Sequence, residues 1–413
     1  MSSLFKKLRR RKKRKQSHEA ARGSSQYNEI EVEDVYSHRG LSQKKKALIR
    51  SGVTIAAVVA IVAGVFLFIQ RRSYGDYKVV TRSEQEDTVS TKYMDMNGKV
   101  FRYSTTGASL VDTSQDTLWS STYEMETPVA DICNDTAVVY DQGGTSMVVF
   151  DKDGESGTIS ASYNIVKARV AGQGVVAAIL DGGEDTWVNF YAKDGSLIAE
   201  NQTRVDDPGY PLDIAVSEDG LIIMVAYQFV DGGTTTSYVA FYNFGTAGQN
   251  QIDNIVSGYE YEGVVVPQTA YLKDDVSVAF KDNGFVIYEG RQIPKESANV
   301  EVEEEIVSTF YDESHIGLVF RDDGKDKMYT MKVYNTSGKE LFQKSFNIPY
   351  TEIKMSGGQV VMYNASQICV ISMQGVEKFN GTVDEGSIND FFKIGWNKYV
   401  LVLDNGVDVI KFK

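Results

Sequence analysis

A short apolar strand that recurs seven times constrains the fold of this 413-residue chain more than any other feature of its sequence. Each copy is rich in Val, Ile, Leu and Phe, and most copies end at an acidic or amide turn residue. From Val138 to Val400 the mean period is about 44 residues, which is the length of a four-stranded propeller blade. The copies are Ala137–Tyr140, Val175–Leu180, Leu221–Ala226, Val276–Phe280, Ile316–Phe320, Gln359–Tyr363 and Tyr399–Leu403.

A glycine that follows the next strand in most repeats supports the same register. It lies two to four residues after an apolar strand end, where glycine permits the positive φ that a tight hairpin requires. Short strands alternate with turns from residue 88 onward and no long helical period occurs, so the sequence predicts an all-β fold. The pairs are Phe150/Gly154, Tyr191/Gly195, Tyr242/Gly245, Tyr288/Gly290, Tyr334/Gly338 and Ile371/Gly375.

The repeat predicts a β-propeller of eight four-stranded blades, with seven blades as the alternative because the first unit is the least regular. The last unit, 388–413, supplies only three strands, and 77–82 (YKVVTR) is expected to supply the fourth. Closing the ring with strands from both ends removes exposed strand edges, which otherwise promote aggregation. The other blades are expected at 88–124, 128–163, 165–203, 212–258, 267–302, 306–348 and 352–382.

An uncharged run of 20 residues, Ser51 to Gln70, precedes the repeats. At about 1.5 Å per residue it is long enough to span the hydrocarbon core of a bilayer, roughly 30 Å. A buried core helix is disfavoured because basic residues bracket the run. A cleaved signal peptide is disfavoured because its apolar region is shorter, about 7–15 residues, and because Arg71 and Arg72 stand where a cleavage site would lie. We predict an uncleaved signal anchor.

The charge of the chain changes sign at this run. Residues 1–50 contain 15 Lys and Arg against 5 Asp and Glu and so carry +10, whereas the remainder carries −23, for a formal net charge of −13. Basic residues on the cytoplasmic side set the orientation of a membrane helix. The sequence therefore predicts a basic, largely disordered cytoplasmic arm over 1–47, a transmembrane anchor over 48–72, and an extracytoplasmic propeller over 73–413 in a bacterial cell membrane.

Lys6 to Lys15 form a nearly continuous basic run within the arm. We interpret it first as a determinant of topology. Contact with anionic lipid, at about 1 kcal/mol per basic residue near the surface, is the alternative. No nucleic acid is expected as a partner, because aromatic residues do not interleave with the charges.

The overall plan resembles an uncharacterised family of Gram-positive bacterial proteins. Local similarity is clearest in 209–220 (GYPLDIAVSEDG) and 242–245 (YNFG), and the resemblance covers about residues 45–413. Members of that family have a basic tail, one anchor helix and a β-propeller similar to that of pyrroloquinoline-quinone enzymes. The resemblance implies fold and location only, since the domain of the family has no assigned function.

The sequence predicts no catalytic, cofactor-binding or metal site. Quinone-dependent propellers repeat an Ala-x-Asp-x-x-x-Gly-x-x-x-Trp motif, and 111–119 is a single imperfect copy, so Trp119 is expected to pack between strands. Outside the N-terminal region the one histidine is His315; the adjacent Ser314 would point to the opposite face of a strand, which disfavours a hydrolytic triad. A pair of carboxylates that hydrolyses glycans stays open as an alternative.

Two oxygen-rich segments and two cysteines are interpreted as structural. Asp151–Glu155 and Asp322–Asp326 have calcium-ligand residues without the spacing of an EF-hand, and both fall where the repeat requires a hairpin turn. Cys133 and Cys369 lie in blades two and seven, and we expect two buried, unpaired thiols.

A binding rim is predicted where the segments between blades three to five are longest, at Thr203–Leu212, Ser257–Gln268 and Lys295–Val307. Tyrosines mixed with acids suit a basic or carbohydrate partner, and solvated loops with buried tyrosines are the alternative. The rim residues are Asp206, Asp207, Tyr210, Tyr259, Glu260, Tyr261 and Glu262.

Three functions follow from these features. The leading hypothesis is a protein-interaction or scaffold module in the bacterial envelope, with an unknown envelope protein or glycan as partner and no catalysis. The first alternative is an envelope enzyme that acts on glycan or peptidoglycan through paired carboxylates. The second is a sensor whose propeller binds a ligand and signals through the basic arm.

Overall fold

The computed structural model describes most of the chain after residue 70 and a short part before it. The described residues are 54–62, 64, 71–83, 91–112, 114, 116–204, 208–322 and 327–413. Two compact units are present, Met1–Phe66 and Leu67–Lys413.

In the first unit, residues 54–62 and 64 are α-helical. Among the residues described, no helix combines the length and the apolar character needed to cross a membrane. The predicted arm over 1–47, the basic run Lys6 to Lys15 and about half of the predicted anchor, Ser51 to Gln70, lie outside the described residues.

The second unit consists of eight four-stranded antiparallel sheets, which form the blades of a propeller. The eight-blade prediction is confirmed, and the seven-blade alternative is wrong. In seven blades the strands pair in chain order, and in the eighth the strand Tyr77–Ser83 pairs with the strand Gly406–Phe412. First strands of neighbouring blades contact each other, as β10 (Asn164–Val170), β14 (Tyr210–Val216) and β18 (Gln268–Lys273) do. The first strands therefore line the axis of the ring.

The first four blades occupy residues 92–262. Blade 1 contains β2 (Lys92–Met96), β3 (Lys99–Ser104), β4 (Gly107–Val111) and β5 (Thr117–Thr122). Blade 2 contains β6 (Pro128–Cys133), β7 (Thr136–Asp141), β8 (Ser146–Asp151) and β9 (Gly154–Ser160). Blade 3 contains β10 (Asn164–Val170), β11 (Val176–Asp181), β12 (Thr186–Tyr191) and β13 (Leu197–Thr203). Blade 4 contains β14 (Tyr210–Val216), β15 (Ile222–Asp231), β16 (Thr234–Asn243) and β17 (Ile255–Glu262), with a 3-10 turn at Ile252–Asn254.

The other four blades complete the ring. Blade 5 contains β18 (Gln268–Lys273), β19 (Val276–Lys281), β20 (Gly284–Glu289) and β21 (Lys295–Glu301). Blade 6 contains β22 (Ile306–Tyr311), β23 (His315–Arg321), β24 (Tyr329–Asn335) and β25 (Glu340–Phe346). Blade 7 contains β26 (Glu352–Ser356), β27 (Gln359–Tyr363), β28 (Gln367–Ser372) and β29 (Glu377–Thr382). Blade 8 contains β30 (Ile388–Gly395), β31 (Lys398–Leu403), β32 (Gly406–Phe412) and β1 (Tyr77–Ser83).

The hydrophobic core is divided among the gaps between blades. Eight clusters of buried side chains are present, and each unites residues of two neighbouring blades, including blades 8 and 1. The second and third strands of a blade are covered on both faces, so they are almost continuously apolar, as in β11 and β31. Fourth strands alternate between buried and exposed residues because only one face is covered, as in β17.

Five of the six predicted hairpin glycines have positive φ angles. Gly154, Gly195, Gly290, Gly338 and Gly375 have positive φ, as predicted, and Gly245 does not. In blade 4 the connection from β16 to β17 runs from Asn243 to Ile255 and is the longest of its kind, so no tight turn is required there.

The ring closes where β1, the first described strand, pairs antiparallel with β32, the last. β1 pairs with β32, from Tyr77 opposite Phe412 to Ser83 opposite Val407. Arg82 donates to both carboxylate oxygens of Asp408, at 3.0 Å from Nε and 2.8 Å from Nη2, and the side chain of Asp408 is buried. Phe412 stacks on Phe379 of blade 7 with 4.3 Å between ring centroids. The ring of Tyr77 in β1 also meets Phe379 edge-on, with 6.1 Å between centroids, so the closing strand is fixed to two blades.

Candidate functional site

Blade 4 departs from the regular repeat at both of its ends. Strands β15 and β16 have ten residues each, whereas the other strands have five to eight. Their hairpin extends past the neighbouring strands, and Val230 near its tip is 68% exposed. The long β16–β17 connection lies at the opposite end of the blade. Because insertions into a regular scaffold commonly carry function, this blade is the first candidate site.

The structure places the predicted rim residues mostly in strands rather than in loops. Asp206 and Asp207 lie outside the described residues. Tyr210 is the first residue of β14, and Tyr259 to Glu262 belong to β17. The predicted boundary of blade 4 at residue 258 was therefore wrong, because the alternating sequence YEYE continues the fourth strand.

Two of the predicted tyrosines lie at the same level along the strands of blade 4, because a series of paired residues connects them across the sheet. Tyr210 pairs with Gln228, Gln228 with Ser237, and Ser237 with Tyr261. Three strand spacings separate the backbones of Tyr210 and Tyr261 by about 14 Å. They lie at one end of the blade, on its first and fourth strands, without direct contact.

The tyrosine side chains of β17 pack against blade 5. The hydroxyl of Tyr259 donates to the carbonyl oxygen of Pro294 at 3.0 Å, and the hydroxyls of Tyr261 and Tyr288 are 2.5 Å apart. Burial raises the pKa of Tyr261, so its hydroxyl stays neutral. The carboxylates of Glu260 and Glu262 alternate with these rings and are exposed. The acids thus remain available for a partner, whereas the tyrosines have a structural role.

Ion pairs connect first strands of neighbouring blades around the axis. Arg169 of β10 donates to Asp131 of β6 at 2.6 Å, and the other oxygen of Asp131 accepts the amide of Val170 at 2.9 Å. Lys167 lies 2.5 Å from Asp213 of β14, which also accepts the amide of Thr269 in β18 at 2.7 Å. These carboxylates hold adjacent blades together.

A similar contact occurs between blades 7 and 8. The carboxylate of Asp390 pairs with Lys354 and accepts the hydroxyl of Tyr363 at 2.8 Å. These axial acids are engaged in inter-blade contacts, so they do not form a free catalytic pair.

A cavity of about 130 Å³ lies between blades 3 and 4. Its apolar wall includes Phe190 and Phe244, whose rings stack with 4.7 Å between centroids. Its polar side includes Asn201, whose amide donates to the hydroxyl of Tyr242 at 3.3 Å. The complete lining is Val188, Phe190, Ala199, Glu200, Asn201, Ile223, Tyr242, Phe244, Asp253 and Asn254.

Glu200 and Asp253 are the acidic residues of the lining and no basic residue is among the described ones, but the side chain of Glu200 points to the other face of β13 because its neighbours Ala199 and Asn201 face blade 4. Glu200 lies in β13, and Asp253 lies in the 3-10 turn, where its φ of 53° and the φ of 59° at Asn254 are left-handed. Left-handed residues turn the chain back toward the blade, and Asp and Asn tolerate this conformation. Burial raises the pKa of Tyr242 to about 12, so its hydroxyl is a neutral donor and acceptor.

No pattern in the sequence predicts this cavity. The signal was present in the long segment between Asn243 and Ile255, but a loop length does not reveal which neighbouring blade the loop contacts. The contribution of blade 3, through Phe190, Glu200 and Asn201, becomes visible only in the ring.

The remaining predicted features occupy structural positions. Trp119 stacks on Phe150 of blade 2 at 5.2 Å, as expected for a packing residue. His315 begins β23, and its Nδ1 lies 2.9 Å from Asp312. Cys369 is buried and Cys133 is half-buried, and both are unpaired.

The two oxygen-rich segments that are predicted as hairpin turns lie partly within the described residues. In 151–155, the amide of Asp153 donates to Asp151 at 2.8 Å, which is a turn contact. Residues 323–326 of the second segment lie outside the described residues. Within the described ranges, no group of three or more His, Cys, Asp or Glu residues is arranged to hold a metal ion.

Comparison with solved structures identifies other propellers of low sequence identity. Sqt1 from Chaetomium thermophilum has a TM-score of 0.50 and 12% identity over 83% of this chain and 98% of that chain. BamB from Moraxella catarrhalis has a TM-score of 0.46 and 12% identity over 80% and 100% of the two chains. The Pan2 WD40 domain from Neurospora crassa has a TM-score of 0.42 and 11% identity over 69% and 88%. These similarities concern the fold alone.

Sequence comparison gives a family but no function. No curated protein matches the chain. The model of a family of unknown function, DUF5711, matches residues 70–412, which include every blade. The chain belongs to this family of unknown function, DUF5711.

Proposed function

We propose that this protein is a single-pass membrane protein whose extracytoplasmic propeller acts as a protein-interaction scaffold in the bacterial cell envelope, without catalysis. The proposal rests on two irregular elements, one at each end of blade 4, in an otherwise regular ring. A regular repeat needs neither the extended β15–β16 hairpin nor the long β16–β17 connection for its own packing.

The proposed location rests on the sequence. The uncharged run Ser51 to Gln70 has the length of a membrane span, and the basic excess of residues 1–50 favours a cytoplasmic N-terminus. An aqueous compartment outside the membrane suits the propeller, because residues 51–413 carry a formal charge of −23.

The proposed role as a scaffold rests on the surface of blade 4. The hairpin presents Val230 to solvent, and β17 presents the carboxylates of Glu260 and Glu262. An apolar tip beside acidic side chains has the composition of a protein contact with a polar rim. The carboxylates of Asp131, Asp213 and Asp390 take part in contacts between blades. These contacts give no support to a catalytic site at the axis of the ring.

Affinity isolation tests the proposal. The full chain, tagged at its C-terminus, is isolated from detergent-solubilised membranes and its companions are quantified by mass spectrometry. A tagged segment of residues 1–76 is the control for contacts of the arm and anchor. We expect one or a few envelope proteins to be enriched with the full chain alone. Equal recovery with both baits would overturn the scaffold role.

A matched pair of variants locates the contact on blade 4. Val230→Asp places a charge at the exposed hairpin tip, and Leu118→Asp makes the same change at a residue of blade 1 that is 47% exposed. We expect Val230→Asp to reduce recovery of the partner and Leu118→Asp to leave it unchanged. The same loss with both variants would remove blade 4 as the contact site.

A further inference from the structure

The turn between the first two strands of blade 8 carries an exposed tryptophan. Trp396 and Asn397 connect β30 to β31, and Trp396 is 81% exposed. All eight turns between first and second strands lie within the described residues, and none of the other seven contains an aromatic residue. An indole at this position contributes little to the packing of the propeller, so it is available for a partner.

This turn lies at the end of blade 8 where the chain enters the propeller. β1 begins at the same end, because its first residue, Tyr77, pairs with Phe412 near the end of β32. The side-chain amide of Asn397 donates to the carbonyl oxygen of Phe412 at 2.9 Å. Trp396 and the entry of the chain therefore belong to one end of one blade.

Residues 72–76 contact blade 7 before they enter β1. The amide of Tyr74 donates to the carbonyl oxygen of Lys378 at 2.8 Å, and the ammonium group of Lys378 donates to the carbonyl oxygen of Arg72 at 3.0 Å. At most about 7 Å of extended chain separates Arg72 from Gln70, the last residue of the proposed membrane span. In the proposed topology, the chain length thus keeps this end of blade 8 close to the bilayer surface.

The end of the ring that carries Trp396 is divided by charge. Lys398 is the first residue of β31, and Lys99 is the first residue of β3 in the adjoining blade 1. Within the described part of the chain neither lysine takes part in an ion pair. Arg71 and Arg72 are exposed and add to the basic side. The corresponding turns of blades 4 to 6 form an acidic side, with Glu218, Asp219, Asp274, Asp275, Asp312 and Glu313.

We infer that Trp396, together with Lys99 and Lys398, binds the outer surface of the membrane, with anionic phospholipid as the ligand. Tryptophan is enriched at the level of the lipid head groups, and basic side chains are attracted to anionic lipid. The same surface repels the acidic turns of blades 4 to 6, so the propeller leans toward the bilayer on blade 8. This inference rests on the proposed function, because the proposed anchor places a bilayer beside this end of the propeller.

Tryptophan quenching in vesicles tests the inference. The full chain is reconstituted into vesicles of phosphatidylglycerol and phosphatidylcholine, in which part of the lipid is brominated near the head groups. The chain has three tryptophans, and Trp119 and Trp187 stack on other rings within the propeller. Trp396→Phe therefore gives the emission of Trp396 by difference. We expect brominated lipid to quench this emission, and its maximum to lie at shorter wavelength than in detergent micelles.

Two pairs of variants measure the contribution of charge. Lys99→Gln with Lys398→Gln removes two charges beside Trp396. Lys193→Gln with Lys273→Gln removes two exposed charges at the same end of blades 3 and 5. Each basic residue near an anionic surface favours contact about fivefold, so the first pair should lower the ratio of docked to free propeller roughly 25-fold. The second pair should leave the quenching nearly unchanged.

Flotation of the vesicles separates this inference from the proposed function. A chain that does not float with the vesicles would refute the anchor and, with it, the lipid contact. A chain that floats while Trp396 is not quenched overturns the contact alone, and so does equal quenching in vesicles of phosphatidylcholine without anionic lipid. Loss of a companion protein from affinity isolation of Trp396→Ser, without quenching in vesicles, would assign the surface to a protein and overturn the inference.

Discussion

At the scale of single residues, the charges on the first strands explain why the inner ring holds its register. The side chain of Asp213 is fully buried, yet its oxygens receive the amide of Thr269 and the ammonium of Lys167. A buried carboxylate is tolerated only when it is paired and hydrogen-bonded. Each such acid therefore specifies the position of the adjacent blade.

Removal of the Asp213 carboxylate should destabilise the propeller. Asp213→Ala leaves the Thr269 amide without its acceptor and Lys167 without its partner, and we expect a loss of about 3 kcal/mol, because Lys167 can still reach water. Asp213→Asn keeps an acceptor and should cost less. Urea unfolding followed by tryptophan fluorescence measures both, and a loss below about 1 kcal/mol for the alanine variant would contradict this role.

A pH dependence is expected for Asp95 on β2. Desolvation by the surrounding strands raises the pKa of this carboxyl above its ordinary value of 3.8 although the residue is exposed, so its charged form is mildly disfavoured in the folded chain at neutral pH. Asp95→Asn removes that charge and retains an acceptor for the amide of Gly98. We expect a higher melting temperature at pH 7 and a narrowing difference as the pH falls toward 3.8, since the native carboxyl then takes up its proton.

The control for Asp95 is Asp153→Asn, which removes a charge from a turn whose side chain is 81% exposed. It should shift the melting temperature little at either pH. An advantage of Asp95→Asn that stays constant from pH 7 to pH 4 would refute the proposed penalty.

At the scale of elements, the closing pair β1–β32 joins a strand from before the first blade to the three strands of the last. Its ladder, the Arg82–Asp408 contact and the stack of Phe412 on Phe379 act together. Without β1 the last blade would expose an unpaired strand edge, which is a template for association with other chains.

Deletion of the closing strand should weaken the propeller and promote aggregation. Soluble chains that begin at residue 73 and at residue 84 differ by β1, and each lost ladder hydrogen bond costs about 0.5–1.5 kcal/mol. Thermal melting and light scattering should show a lower transition and larger particles for the shorter chain. Equal melting and two monomeric chains would exclude a role for β1 in closure.

A milder variant examines the same pair in the intact chain. Phe412→Ala removes the stack on Phe379 and leaves the backbone ladder in place, and we expect a loss of about 3–5 kcal/mol. Leu118→Ala, at an exposed position of blade 1, should cost far less when both are measured by urea unfolding.

At the scale of the whole molecule, the prediction concerns topology. We expect an uncleaved chain with its N-terminus in the cytoplasm, because the basic excess lies before residue 51 and no cleavage site follows residue 70. Cysteine labelling is suitable because burial raises the pKa of Cys133 and of Cys369 to about 12, so the native thiols react slowly at neutral pH.

The labelling experiment compares Asp153→Cys in the propeller with Ser25→Cys in the arm. A membrane-impermeant maleimide should label the first in intact, wall-stripped cells and the second only after the cells are lysed. The opposite pattern, or a mature N-terminus beyond residue 70 in mass spectra, would refute the topology.

The sequence predicted more of the fold than of the site. A period of about 44 residues is a property of the chain itself, so the eight blades and the closing strand follow from it. The length between blades alone places the YEYE segment outside blade 4, whereas its two-residue alternation is typical of the fourth strand in which it lies. The cavity depends on how Phe190 of one blade meets Phe244 of the next, and such proximity has no periodic signature in the sequence.

The pairing of β1 with β32 also sets an order of events during synthesis. Among the described strands β1 is translated first and β32 last. Arg82 can therefore pair with Asp408 only after the 326 residues that follow it have been synthesised. Other blades can form as their residues emerge, because their strands are contiguous, but the ring cannot close until β32 (Gly406–Phe412) has been translated. A chain that lacks β32 leaves β1 and β31 without a partner strand. Proteases that cleave unpaired strands would degrade such a chain faster than the closed propeller.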